Sequence, residues 1–263
     1  MDDSTLDVFA GGIATSTDIF VGGAVIDLGI TIGTKIDGGG SGTVSSGGVS
    51  LQTTVNSGGN DIVSAFGTDL FTTVSGGGVE TVLSGGVAES TVISGASGEP
   101  GGLEIVSAGG TVSGPILMAG RTLLLLGAAN ETGLDWPGGT LEVGSGSTLN
   151  GQIVSDFEAL VVLADGTASG ATLTGAGGGG KLAVLPGGTA NGTLDAFGEE
   201  TVLAGGQANF TTINNLGFLT VDGTASDTTI NSGGNETVSA GGSIRELRSA
   251  AASRSSTEAA PRT

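Results

Sequence analysis

The sequence predicts an all-β protein: a parallel β-helix, or β-solenoid, of about twelve 19-residue coils. Three observations carry that prediction. Glycine supplies 54 of 263 residues, whereas Phe, Trp and Tyr together supply 3%. The pairs Gly47-Gly48, Gly58-Gly59, Gly77-Gly78 and Gly85-Gly86 fall at alternating steps of 11 and 8 residues, with the degenerate copy Phe66-Gly67 filling the missing place. Thr and aliphatic residues recur at fixed positions within those steps.

Residues 1–12 are expected to form an irregular partial coil, because an open solenoid end exposes strand edges that need a cap. The repeat domain spans 13–242. Its long arms begin at residues 13, 30, 49, 68, 87, 111, 129, 147, 167, 189, 207 and 224. Their fifth position is Thr at Thr17, Thr34, Thr53, Thr72, Thr91, Thr193, Thr211 and Thr228. Their seventh position is aliphatic, as at Ile36, Val55, Val74, Ile93, Ile153, Ile213 and Ile230. The short arms carry Val at their fourth position, among them Val44, Val63, Val82, Val106, Val184, Val202 and Val238.

Each arm reads as one short strand, with Thr, Val and Ile in the centre and Ser-Gly-Gly, Ala-Gly-Gly or Asp-Gly closing it. Helix is a poor alternative, since a Gly-Gly every 8 to 11 residues destabilises one by around 1 kcal/mol per glycine. Two strands and two turns cannot bury a face alone, but stacked coils can. The fifth and seventh positions share a strand face, so stacking aligns a threonine ladder beside an aliphatic ladder, copies about 4.8 Å apart.

The irregular coils mark loops. Residues 97–102 lengthen one turn. Coil 129–146 places Gly133 and Asp135 at the two ladder positions and holds Trp136, which is expected to cover a badly packed coil. After Gly242 the composition changes: residues 243–263 contain no glycine and four of the seven basic residues. Ile244 to Ala252 is expected as a short capping helix, and Ser253 to Thr263 as disordered.

Composition removes several function classes. There is no Cys, His or Tyr, so no zinc finger, haem or iron–sulfur site, thiol nucleophile or Ser-His-Asp triad can be assembled. Lys+Arg total 7 against 26 Asp+Glu, a formal charge of −19 that repels nucleic acid and anionic lipid. A charged fraction of 13% with mean hydropathy +0.30 is not a disordered composition. No apolar run approaches the roughly 18 residues of a membrane span.

The sequence assigns no catalytic, cofactor or metal site. Calcium-binding solenoids repeat G-G-x-G-x-D, and the nearest segment, Gly38 to Thr43, lacks the aspartate. Glu80, Glu104, Glu200 and Glu236 share the second short-arm position, where a solvated acidic row is expected. Polysaccharide lyases and hydrolases also use β-helices. However, the adjacent pair Glu199-Glu200 points to opposite strand faces, and the repeat's only bases, Lys35, Arg121 and Lys181, lie on separate coils. Ice binding needs a flat outward threonine array, whereas here the regular Thr shares the face of the aliphatic core position.

The segments Thr53-Thr54-Val55-Asn56-Ser57-Gly58-Gly59-Asn60-Asp61-Ile62-Val63-Ser64 and Thr228 to Gly242 resemble the strand-loop-strand repeats of autotransporter passengers of the AIDA-like adhesin type. The resemblance covers residues 13–242. It implies a non-enzymatic, secreted or surface-exposed β-helical passenger that acts in adhesion, autoaggregation or biofilm formation. It also implies partners among host or abiotic surfaces, glycans, or like solenoids on neighbouring cells, and modification of repeat hydroxyls by a glycosyltransferase. The alternative is a carbohydrate-active β-helix with clustered acids near Trp136. Passengers of this kind have a cleavable signal and a C-terminal barrel. Here the first residues lack signal character and residues 243–263 are too short for a barrel, which leaves a fragment, a truncated product or another export route open.

Overall fold

The long arm is two strands, not one. In the computed structural model, which describes residues 4–95, 100–175, 177–249 and 253–256, the arm beginning at Val49 forms Val49–Leu51, turns at Gln52, and resumes as Thr54–Val55. Gln52 is left-handed at φ 56°, and the same fourth arm position is left-handed at Phe71 (60°), Ser90 (58°) and Phe210 (59°). With the short arm Asn60–Val63, each coil has three strands and not the two expected from the arms. All regular elements among the described residues are strands, and the parallel stacking is a β-solenoid of about 13 turns spaced about 19 residues.

Two compact units divide the chain, Met1–Thr140 and Leu141–Thr263. In unit 1 every strand type stacks in parallel on its copy one coil away. Val49–Leu51 pairs with Ile30–Ile32 and Thr68–Leu70, Thr54–Val55 with Lys35–Ile36 and Thr73–Val74, and Asn60–Val63 with Ser41–Val44 and Val79–Val82. The corners join the ladders too: the Gln52 amide donates to the Leu70 carbonyl at 2.8 Å and that of Phe71 to Glu89 at 2.9 Å. The first strand, Ser4–Val8, lies on Gly23–Asp27.

The Gly-Gly corners divide their labour. Gly47 is left-handed (φ 84°) but has open space where a side chain would stand. At Gly48 a Cβ would lie 2.2 Å from the Asp27 carbonyl oxygen of the preceding coil. The first glycine therefore serves conformation and the second serves close stacking.

The core is a set of vertical columns. The inward fifth position buries Thr34, Thr53, Thr72 and Thr91 in unit 1 and Thr193, Thr211 and Thr228 in unit 2. The seventh buries Ile36, Val55, Val74, Ile93 and Leu117, then Leu173, Ile213 and Ile230. Each fully buried aliphatic side chain contributes about 1.5–3 kcal/mol.

The register slips by one residue in two coils. Their first strands are Asn130–Thr132 and Thr148–Asn150, one residue later than the arm starts 129 and 147. In consequence Val154 occupies the inward column and Ile153 is 61% exposed. The same slip places Trp136, and not Asp135, at the seventh position. Asp135 bridges Ile116, so the indole succeeds Leu117 in the aliphatic column, 7% exposed. It is a core residue and not a cover.

Residues 97–102 were expected as a loop. Residues 96–99 lie outside the described set, and the Gly102 amide closes the base on Ser94 at 3.3 Å. In unit 2 the expected helix at 244–252 is replaced over its described part. Ser243–Ser249 is a strand in parallel register with Thr224–Ile230, and it turns at the left-handed Glu246 (φ 52°). Ser253–Ser256, expected as disordered, pairs with Asn235–Val238, while residues 250–252 and 257–263 lie outside the described set. The open edge of the preceding coil templates another coil, and those non-local hydrogen bonds outweigh local helix propensity.

Candidate functional site

Because successive residues on a strand face opposite ways, the chemistry of this chain divides into an outer and an inner surface. The outer surface holds every phenylalanine. All eight, at 9, 20, 66, 71, 157, 197, 210 and 218, are exposed, led by Phe157 at 81% and Phe66 at 78%. Five of them are also left-handed: Phe66, Phe71, Phe157, Phe197 and Phe210. Phe66 and Phe197 stand at the first position of a Gly-Gly corner, the one with open space, and project their rings outward.

In unit 2 this display becomes a groove. Phe197, Leu216 and Phe218 line an open depression of about 510 Å³, with Glu199 on one wall and Gly175 and Gly178 of a neighbouring loop on another. The loop is held by Asp156, whose carboxylate accepts the amides of Gly177 at 3.0 Å and Gly179 at 2.8 Å. Glu199 and Phe218 are register partners on adjacent coils, and Glu199 lies 3.7 Å from Lys181 on the coil before. Two rings and a leucine offer an apolar platform, and a half-exposed carboxylate beside them can accept hydroxyl or ammonium protons.

The inner surface is acidic where a solvated row was expected. Glu80, Glu104 and Glu200 are fully buried, Glu236 is buried, and Asp61, Asp69 and Asp195 join them. The second short-arm position has the same parity as the fourth, so it faces the core with the valines. Burial is the largest cause of every upward pKa shift here. It pushes Glu104 to about 8, with the charge of Asp69 adding, and holds Glu80 and Asp61 well above the usual carboxylate range. Glu200 is pushed to about 7 against the opposing hydrogen bonds of Thr211 and Thr193, and Asp195 to about 6. Among the described residues no group of three or more acidic side chains is arranged to hold a metal ion.

The residues weighed for catalysis do not converge. Glu199 points out and Glu200 in, as strand parity requires. Lys35 pairs with Asp37 at 3.4 Å, Lys181 with Glu199, and Arg121 donates to the Gly120 carbonyl at 2.9 Å. Trp136, inside its coil, donates from Nε1 to the Gly139 carbonyl at 3.4 Å.

The groove was not visible in the repeat pattern. One sign was present: Phe66-Gly67 as a degenerate glycine pair, a substitution repeated at Phe197-Gly198 and, with leucine, at Leu216-Gly217.

No protein-family model matches the chain, and no curated protein matches it. Among solved structures, the chain is similar to a TibA fragment described as hyper-glycosylated by TibC catalysis. The two are 25% identical, with a TM-score of 0.62, and the match covers 96% of this chain and 99% of that one. That fragment and this chain share the stacked-coil fold.

Proposed function

We propose that the chain is a non-enzymatic β-helical adhesin passenger, secreted or held at the bacterial cell surface, acting in adhesion, autoaggregation or biofilm formation. The observation that carries this reading is the outward display of phenylalanine. A left-handed non-glycine residue costs roughly 1–2 kcal/mol, and a largely exposed ring recovers little of it by packing. Five such residues are therefore selected against by folding and are explained by what their rings contact outside the chain. The similarity to the TibA fragment supports the same reading, and its glycosylation supports modification of outward Ser and Thr hydroxyls by a glycosyltransferase.

The partners are host or abiotic surfaces, glycans, or like solenoids on neighbouring cells. The groove beside Phe197 and Phe218 suits the apolar face of a sugar ring or an apolar side chain, with Glu199 as acceptor. Display of the chain on a non-adherent cell is expected to produce clumping or surface attachment. Phe197→Ser with Phe218→Ser is expected to reduce that attachment while far-UV circular dichroism stays unchanged. A displayed, folded array that confers neither clumping nor attachment would sink the reading.

A further inference from the structure

In unit 1 three carboxyl side chains stand directly above one another inside the solenoid. Asp61 is the register partner of Glu80, and Glu80 of Glu104. Each is buried, and neighbouring coils lie about 4.8 Å apart. Asp69, also buried, stands beside them on the next strand of the coil, within hydrogen-bonding reach of both Asp61 and Glu80. The column ends at Leu123 on one side. On the other side is Gly42, whose missing side chain leaves the room that the Asp61 carboxyl fills: a Cβ there would meet Asp61 Oδ1 at 2.4 Å.

The surroundings supply almost no donors and no cation. Neither carboxyl oxygen of Glu80 or Glu104 meets a donor, and neither do Asp61 Oδ2 and Asp69 Oδ1. Asp61 Oδ1 accepts the Ile62 amide at 3.0 Å, and Asp69 Oδ2 accepts Thr72 Oγ1 at 2.6 Å. The long arms face the column with Thr31, Ser50, Ala88 and Val112 from their first strands, and with the fifth-position threonines and the aliphatic column from their second. Among the described residues of unit 1 two further acids face inward: Asp27, satisfied by the Gly29 amide at 2.8 Å and Thr31 at 3.0 Å, and the partly buried Glu131, which stacks on Val112 and accepts the Leu134 amide at 2.8 Å. Lys35 is half exposed on the outer face, bound to Asp37. Four carboxylates cannot share such a place as anions, because buried like charges within a few ångströms repel and have lost their water. Two carboxyl groups in hydrogen-bonding contact need a proton between them, since a carboxylate only accepts.

We propose that the Asp61–Glu80–Glu104 column, with Asp69 beside it, is a proton-dependent lock: protons bridging the carboxyls keep the coils of unit 1 closed, and their removal by alkali loosens them. The direction follows from linkage. The unfolded chain releases these protons near the ordinary carboxylate range, while the folded chain keeps them to higher pH, as burial requires. The lock is therefore complete in acid and is lost as pH rises through the folded values, opposite to ordinary acid denaturation. It stands whether or not the chain is an adhesin.

The test is urea unfolding of the full chain, followed by the fluorescence of Trp136, which lies in unit 1. The unfolding midpoint is expected to fall between about pH 5 and about pH 9, with the unfolding constant rising about tenfold per pH unit for each proton held only by the folded state. Glu80→Gln with Glu104→Gln, which substitutes a neutral amide for each acid, is expected to flatten that dependence and to raise the alkaline midpoint. A midpoint in the unaltered chain that holds steady or climbs over the same range overturns the proposal. Where the double variant fails to fold, carboxyl-carbon NMR of the unaltered chain decides. Glu80 and Glu104 resonances at the protonated position near about pH 7 support the lock, and resonances at the ionised position overturn it.

Discussion

The backbone amide of Phe218 donates to the carboxylate of Asp195 on the preceding coil, at 2.9 Å. Asp195 stands in the aliphatic column, in register with Leu173 and Ile213, and also accepts the Gly198 amide at 2.8 Å. One buried acid thus ties together the corner that presents Phe197 and the strand that presents Phe218. Asp195→Leu restores an apolar column but leaves the Gly198 amide without that acceptor, at a cost of about 1–3 kcal/mol. Asp195→Asn, which keeps an acceptor oxygen, is expected to cost less. Urea midpoints of the two variants check the order, and equal midpoints would contradict it.

Unit 2 has its own pH dependence. Glu200 is buried, pushed up to about 7 from an ordinary 4.5, and accepts Thr211 Oγ1 at 3.0 Å and Thr193 Oγ1 at 3.3 Å. Below the unfolded value both states hold the proton and nothing is lost. Between the two values the unfolded chain has released it and the folded chain has not, so stability declines by about 1.4 kcal/mol per pH unit. Glu200→Gln is expected to reduce the slope by that amount between about pH 4.5 and about pH 7, leaving the share of Asp195 below about pH 6. An unchanged slope in thermal melts would count against it.

The two glycine-pair positions predict opposite mutational signs. Phe66→Gly relieves a left-handed residue whose ring is solvent-exposed, and is expected to stabilise by about 1 kcal/mol. Gly48→Ala places a Cβ against the Asp27 carbonyl of the neighbouring coil and is expected to destabilise by about 3 kcal/mol. Paired denaturation curves settle both. If Phe66→Gly weakened the fold, the ring would have a structural role and the argument from exposed strain would fail at that position.

Trp136 offers a direct reading of the interior. As the single tryptophan and a buried column residue, it is expected to emit at short wavelength in the folded state and to resist acrylamide quenching until the chain unfolds. Trp136→Ala leaves a large void in the column and is expected to cost about 3–5 kcal/mol. Water-like emission from the folded chain would contradict the burial.

Much of the fold was legible. The alternation of 11 and 8 residues located the coils, and the parity of Thr53 and Val55 told which way they face, because a strand repeats every two residues whatever its neighbours do. The acidic positions had the same parity signal: Glu80 lies two residues before Val82 and shares its face. The rarity of buried acids argued the other way, and the structure sides with geometry. The formal charge of −19 accordingly overstates the charge carried on the surface, since several of its carboxyls lie inside. The outward phenylalanines were half legible: narrow coils leave little room for rings, but which rings gather into a groove depends on coils that are distant in sequence.

The sequence by itself determined the repeat, its period, its turn glycines and the inward columns of Thr, Val and Ile. These follow from local preferences and from a periodicity that survives in one dimension. Only the tertiary structure decided the third strand of each coil, the one-residue slip that buries Trp136, the extra coil formed by Ser243–Ser249, and the meeting of Phe197 with Phe218. In each case the deciding contact is a hydrogen bond or a packed side chain one coil, some 19 residues, away. A stacked neighbour can hold Gln52 or Glu246 left-handed and draw a basic tail into a strand against its own propensity, because the coil before it presents an edge already in register.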